Sequence, residues 1–163
     1  VTVAIPLLEG NWNDVVVRDI AENVTGCSDV TINGTGRYVT HSSVADCGVT
    51  GRKLAVDFYG GNCRIGGGSP WTKDASKADL TLNIHARKLA LDFMRKYRKH
   101  TVVCAISCSI GSPDIEVAYT DGAGCELYSE KMIAHPADLI ARYGLDQPVF
   151  AKLCREGLFR GLR

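Results

Sequence analysis

DCGVTGRKLAVDFYGG (Asp46–Gly61) and GGGSPWTKDASKAD (Gly66–Asp79) form the densest part of a stretch, Arg37–Asp79, around which the rest of the chain is organised. It holds three glycine groups: Gly48 and Gly51, Gly60 and Gly61, and Gly66 to Gly68. Two mixed-charge clusters interleave with them, Asp46/Arg52/Lys53 and Lys73/Asp74/Lys77/Asp79. Adjacent glycines let backbone N–H groups approach an anion without Cβ obstruction, and lysines add point charges. Nearby carboxylates can hold a metal ion against the same phosphates. Composition alone leaves two readings open, a phosphate cradle and an ordinary glycine-rich loop. No GxxxxGK[ST] occurs, and GGNCRIGGG lacks the GxGxxG spacing, so neither the Walker nor the dinucleotide motif applies.

Outward from this stretch, Lys53–Tyr59 alternates Leu54, Val56 and Phe58 with Lys53, Ala55 and Asp57, which predicts a half-buried strand. Gly60–Thr72 is a loop by composition. Ser76 to about Arg98 is the longest predicted helix, with Leu82, Ala86, Leu89, Phe93 and Tyr97 as its apolar stripe. Its basic residues gather in the C-terminal half, where they suit the helix dipole. Lys73 and Lys77 stand at the opposite end, where cations are unfavourable unless an anion is bound. Asp74 and Asp79 offset part of that cost. This asymmetry favours the cradle.

Upstream, VTVAIPLL (Val1–Leu8) reads as a strand buried against a sheet or a partner, residues 13–24 as a helix capped by Asn11 or Asn13 with Val16, Ile20 and Val24 on one face, and Gly26 as its stop. Ser28–Asn33 predicts a short strand and Asn33–Gly36 a turn, and Arg37–Thr40 starts a new element. Downstream, Thr101–Ile110 and Ile115–Asp121 predict a hairpin through Gly111–Asp114, Pro136–Tyr143 a helix ended by Gly144, and residues 148–155 a last short helix. Helices and strands alternate without a parallel βαβ rhythm. The class is α+β, with mixed and antiparallel sheets covered by helices.

The 163 residues carry a formal net charge of +1, 45% hydrophobic and 23% charged residues, the balance of a soluble globular chain. That charge argues against a dedicated nucleic-acid binder. No apolar run reaches membrane-spanning length and no signal-peptide pattern opens the chain, so no membrane partner is expected and the cytoplasm is the expected compartment. Val1 in place of an initiator Met reads as a processed chain or a fragment. The seven cysteines form no CxxC pair. Cys104 and Cys108 share a strand face, where core thiols outweigh a zinc pair. The sequons at Asn23 and Asn33 read as chance occurrences. His41, His85, His100 and His135 show no ligand spacing, and His85 and His100 suit surface or satisfied core roles. Asp114 and Glu116 read as hairpin charges.

TINGTGRYV, ADCGVTGRKLAVDFYGG and RIGGGSPWTKDASKAD resemble the C-terminal region of S-adenosylmethionine synthetases (methionine adenosyltransferases). CAISCSIGSPDIEVAYTDG and PVFAKLCREGLFRG extend the resemblance in matching order. It covers nearly all of this chain and about the C-terminal half of the family. The implied domains are residues 1–36, the end of a central-type domain with a linker, and residues 37–163, a C-terminal repeat domain. By the same resemblance Arg37 and Tyr38 would contact the adenosine of ATP, and Asp46 would lie between ATP and methionine. Arg52 and Lys53 would hold the triphosphate, and Ser69 would sit at the small ATP-contacting position. Lys73 would reach the phosphates, Lys77 would line the methionine site, and Asp79 would be a Mg²⁺ ligand. Lys53 and Lys73 carry the catalytic role, and Mg²⁺ with K⁺ are the implied cations.

The resemblance implies a transferase forming S-adenosylmethionine from ATP and L-methionine, with release of phosphate and pyrophosphate. The family is oligomeric, with active sites between subunits. Several positions depart from its pattern: His41-Ser42 for Gly-Gly, Ser43 for Pro, Ala45 for Gly, Ile65 for His, Ser69–Thr72 for AFSG and Leu80 for Arg. Trp71 is bulky where the family is small. The family's GHPDK and GAGDQG segments have no counterpart here. The expected state is a homo- or hetero-oligomer with a chain supplying that N-terminal half. The rival reading is a non-catalytic nucleotide- or polyphosphate-binding or regulatory subunit. A third takes the likeness as one of fold, with glycines as turns.

Overall fold

A computed structural model describes residues 1–6, 10, 12–36, 38–48, 53–60, 66 and 73–156. The chain divides into two compact units, residues 1–50 with 109–112, and residues 51–108 with 113–163.

In the first unit, strand β1 (Thr2–Val3) pairs in parallel with β2 (Thr31–Ile32) through helix α1 (Asp14–Thr25). Asn13 caps α1: its Oδ1 accepts from the N–H groups of Val15 and Val16 at 3.1 and 3.3 Å. Gly26 stops it at φ 66°, a left-handed conformation that glycine adopts without strain. Strand β1 is shorter than Val1–Leu8. Pro6 has no N–H to give a ladder, and at Ile5 the Asn33 amide replaces the backbone partner, accepting from Ile5 N at 2.8 Å and donating to Ile5 O at 2.9 Å. Leu7 and Leu8 lie outside the described residues. The element expected from Arg37 is a single turn, α2 (Ser42–Ala45).

The second unit begins with a correction. Leu54–Tyr59 is helix α3 and not a strand. A strand needs a hydrogen-bonded neighbour, and none pairs with this segment among the described residues. The backbone closes on itself instead, Asp57 N donating to Lys53 O at 2.9 Å. Helix α4 (Ala78–Tyr97) ends at Arg98, φ 50°. Strands β3 (Val103–Cys108), β4 (Asp114–Thr120) and β5 (Glu126–Ile133) form an antiparallel sheet in that order. The hairpin β3–β4 lies as expected, whereas β5 is an addition. A register irregularity between Tyr119 and Thr120 sets Tyr128 opposite Tyr119 and Glu126 opposite Thr120. Leu127 is thus the extra residue of a bulge, and the period of two that would announce a strand is broken. Helices α5 (Pro136–Tyr143) and α6 (Phe150–Glu156) close the described chain.

Two apolar clusters hold this unit. Ile115, Val117 and Tyr119 alternate along β4 and meet Leu82, Leu89 and Phe93 of α4, with Ala134 and Leu139. Leu80 and Ile84 on another side of α4 pack with Leu145 and Leu153. So α4 is covered on more of its circumference than the Leu82–Tyr97 stripe, and Tyr97 itself is exposed. The architecture is α+β, one parallel pair and one antiparallel sheet with helices packed on it.

Candidate active site

The N-terminus of α4 is built by the five residues before it. Asp74 Oδ1 accepts from the Ser76 N–H at 2.9 Å and from the Ser76 hydroxyl, an Asx turn that bends Lys73–Lys77 into the helix. These two donors, the hydroxyl first, hold the Asp74 carboxyl below the usual carboxylate range. Lys77 N donates to Asp74 O at 3.1 Å, and Lys77 O accepts from Leu80 N and Thr81 N, each at 3.1 Å. The buried Thr81 hydroxyl donates back to Ala75 O and ties the turn to the helix.

Lys77 stands at the cap position without a side-chain oxygen for the helix N–H groups. Two residues on, Asp79 in the first turn pairs with Lys73 Nζ at 2.6 Å, both side chains partly buried. Gly66 approaches the same spot. A Cβ there would stand 3.3 Å from Asp79 Oδ1 and 3.9 Å from Asn83 Nδ2, and its φ of 57° also favours glycine. Asn83 in turn donates to Asp79 O. Lys73, Lys77, Asp79 and Gly66 therefore meet at one helix end, two cations at the positive pole of a dipole. Asp79 and Asp74 offset these charges in part, and a helix end of this polarity favours a further anion.

Three of the other expected site residues are described, each within its own unit. Tyr38 is half-buried and Asp46 exposed, both in the first unit. Asp46 ends α2, its N–H donating to Ser42 O at 3.1 Å. Lys53 is exposed at the start of α3. Arg37, Arg52 and Ser69 lie outside the described residues, as do Ile65 and Trp71. Two departures have visible consequences. Leu80, where the family pattern has Arg, is fully buried. Ser42, where it has Gly, holds φ 68°, which costs a residue with a Cβ about 1–2 kcal/mol.

Two further residues matter. Asn83 braces Asp79, and an Asn in a helical run gives no signal of this. His85 is buried, with Nδ1 2.6 Å from the Tyr143 hydroxyl, and so joins α4 to α5 behind the site. Burial, helped by the Arg142 charge, pushes its pKa down, and burial pushes the Tyr143 hydroxyl up. It is the satisfied core histidine that the sequence allowed. In β3, burial and then Glu130 push the Cys104 thiol up to about 12, which makes it inert. The six described cysteines are all free. Among the described residues no three His, Cys, Asp or Glu side chains gather around a metal position. Mg²⁺ needs only one or two protein carboxylates beside phosphate oxygens and water, a donor set that the single Asp79 carboxylate at this helix end is compatible with. No described helix is long and apolar enough to cross a membrane.

Residues 40–161 match the family described as S-adenosylmethionine synthetase, C-terminal domain. The chain is 34% identical over 145 residues to the S-adenosylmethionine synthase of Acholeplasma laidlawii (strain PG-8A), covering 83% of this chain and 38% of that protein. It is 32% identical over 155 residues to the S-adenosylmethionine synthase of Mesoplasma florum, covering 90% of this chain and 41% of that protein. The chain thus spans about two fifths of the length of these relatives. No solved structure matches it.

Proposed function

The chain belongs to the S-adenosylmethionine synthetase family by its C-terminal domain, and from that membership we propose that it is the C-terminal part of a cytoplasmic methionine adenosyltransferase. It acts together with a part that supplies the family's N-terminal motifs. The observation that carries this reading is the helix end at Lys77, where Lys73 and Asp79 stand 2.6 Å apart with Gly66 against them.

The chemistry is a displacement at C5′ of ATP. A methionine sulfur lone pair forms the S–C5′ bond, the C5′–O bond breaks, and its electron pair leaves on the triphosphate. The sulfur becomes a sulfonium while the leaving group gains negative charge. Preorganised cations lower that barrier by meeting the charge as it develops. Lys73 and Lys77 are the cations at hand, and the α4 N-terminus adds its dipole. Lys73 is paired with Asp79 at 2.6 Å; the Lys73 ammonium would serve a phosphate, and the Asp79 carboxylate would be the protein ligand of Mg²⁺. Bound Mg²⁺ would supply Lewis-acid neutralisation of the polyphosphate and a template for its oxygens. By the family resemblance, Lys53, Arg52, Arg37, Tyr38, Asp46 and Ser69 would serve ATP, and Asp46 and Lys77 would serve methionine.

The test is reconstitution. The chain alone should form no S-adenosylmethionine from ATP and methionine, and addition of an N-terminal complement should start synthesis. Lys73→Ala should then lower kcat by at least about a hundredfold, the scale of losing one preorganised oxyanion donor. A complex that binds ATP without turnover would favour the polyphosphate-binding subunit instead.

A further inference from the structure

Asn83 stands in the second turn of α4, where asparagine is a poor helix former and alanine or leucine would serve better. Its side chain is nevertheless engaged. Nδ2 donates to Asp79 O, the carbonyl that the helix ladder already pairs with the N–H of residue 83. The two residues are four apart and share one face of the helix. Both are half-buried, and both face Gly66, where a Cβ would stand 3.3 Å from Asp79 Oδ1 and 3.9 Å from Asn83 Nδ2. Lys77 at the cap brings no side-chain oxygen, so the first turn, with Asp79 in it, lacks the bonds that usually stop fraying. Burial of Leu80 and Ile84 with Leu145 and Leu153 fixes the rotation of α4 but leaves that end uncapped. The Thr81 hydroxyl bonds Ala75 O and so holds the residues before the helix. The Lys73–Asp79 pair joins two groups that the proposed site assigns to phosphate and metal. The Asn83 bond differs from both: it holds Asp79 by its main chain and takes up neither carboxylate oxygen.

We infer that Asn83 is a positioning residue for Asp79. By bonding the main chain of that residue it sets where the carboxylate meets Mg²⁺–polyphosphate, and it touches neither metal nor substrate itself. The inference rests on the reading of this helix end as the polyphosphate side of a synthetase, with Asp79 as a protein ligand of Mg²⁺. Metal-binding carboxylates depend on the groups that hold them in place. Lys73 and Lys77, in contrast, attract phosphates by charge with or without a metal. Loss of the Asn83 bond should therefore weaken the metal-dependent part of binding and spare the rest.

The probe is tripolyphosphate, titrated calorimetrically into the full 163-residue chain, once with Mg²⁺ and once with EDTA in its place. Two variants go through the same titrations. Asn83→Ala removes the bond and is the better helix former, so it keeps the fold. Asn83→Ser keeps a hydroxyl that can donate to the carbonyl four residues back. The expected result is at least about tenfold weaker binding of Mg²⁺–tripolyphosphate by Asn83→Ala, the scale of losing a group that holds a metal ligand. Metal-free binding should be unchanged, and Asn83→Ser should recover most of the loss. Equal weakening with and without Mg²⁺ overturns the proposal, because Asn83 then only stabilises the helix. Asn83→Ser as weak as Asn83→Ala overturns it too, because the bond is then not what matters. A gain from Mg²⁺ that survives in Asn83→Ala sinks the inference alone. No gain from Mg²⁺ in the unsubstituted chain sinks the reading of Asp79 as a metal ligand, and the inference with it.

Discussion

Helix α1 opens on Asn13, whose Oδ1 accepts from the N–H groups of Val15 and Val16, while α4 opens on Lys77, which offers no oxygen to its terminus. Along their sides the order is reversed. Leu80, Ile84 and Ala90 of α4 are buried, with Leu82, Leu89 and Phe93 packed on the sheet, whereas the Val16–Val24 stripe of α1 is exposed. The first helix is finished at its end and unfinished on its side. The second is finished on its side and left charged at its end. Each unsatisfied feature is where a second molecule would gain most by binding: an apolar chain along α1, an anion at α4.

The largest way to break this comparison is through the sides. Leu80→Ala should cost about 2–5 kcal/mol in urea denaturation, as buried Leu truncations do. Ile20→Ala should change the stability of the chain alone by no more than about 0.5 kcal/mol, as surface changes do. Equal losses would mean that the α1 stripe is packed as the side of α4 is. Next come the ends. Asn13→Ala should cost about 1 kcal/mol, because it removes an oxygen that two N–H groups share. In the same unit, Ser42→Gly should gain about 1 kcal/mol by relieving the left-handed backbone. A loss on that substitution would show that the Ser42 side chain contributes more than its strain.

Much of this was legible. Asn13 as one of two cap candidates, the stops Gly26 and Gly144, the helix over 136–143 and the hairpin over 103–120 follow from turn chemistry and periodicity, which are local. The grouping of Lys73, Lys77 and Asp79 at one helix start was legible, because cations there are unfavourable and draw the eye to the carboxylate that offsets them. What failed was non-local. Lys53–Tyr59 alternates like a strand, but among the described residues no neighbour pairs with it, and it closes into α3. Strand β5 went unseen because the bulge at Leu127 shifts its alternation. The Val16–Val24 stripe announced a helix correctly, yet periodicity says only that a face is apolar, not that this chain covers it.

A smaller effect tests the joint between α4 and α5. Because burial lowers the His85 pKa from its ordinary 6.5, the unfolded chain binds its proton more tightly than the folded chain. The second unit should therefore lose stability as the pH falls below about 6.5 and gain nothing from His85 above it. His85→Gln should flatten that part of the stability profile, read as melting temperature between pH 7.5 and 5. An unchanged profile would assign the dependence to other groups.

The central claim is that α4 keeps a cation at its cap in order to bind polyphosphate. Lys77→Asp puts a capping carboxylate where the helix wants one and a repelling charge where the phosphate would sit. Calorimetric titration of Mg²⁺–tripolyphosphate into both chains, with their melting temperatures, tests this directly. The expected result is at least about tenfold weaker binding, roughly 1.4 kcal/mol, together with a higher melting temperature in Lys77→Asp. Equal affinity in the two chains, or a lower melting temperature in the variant, would contradict the account.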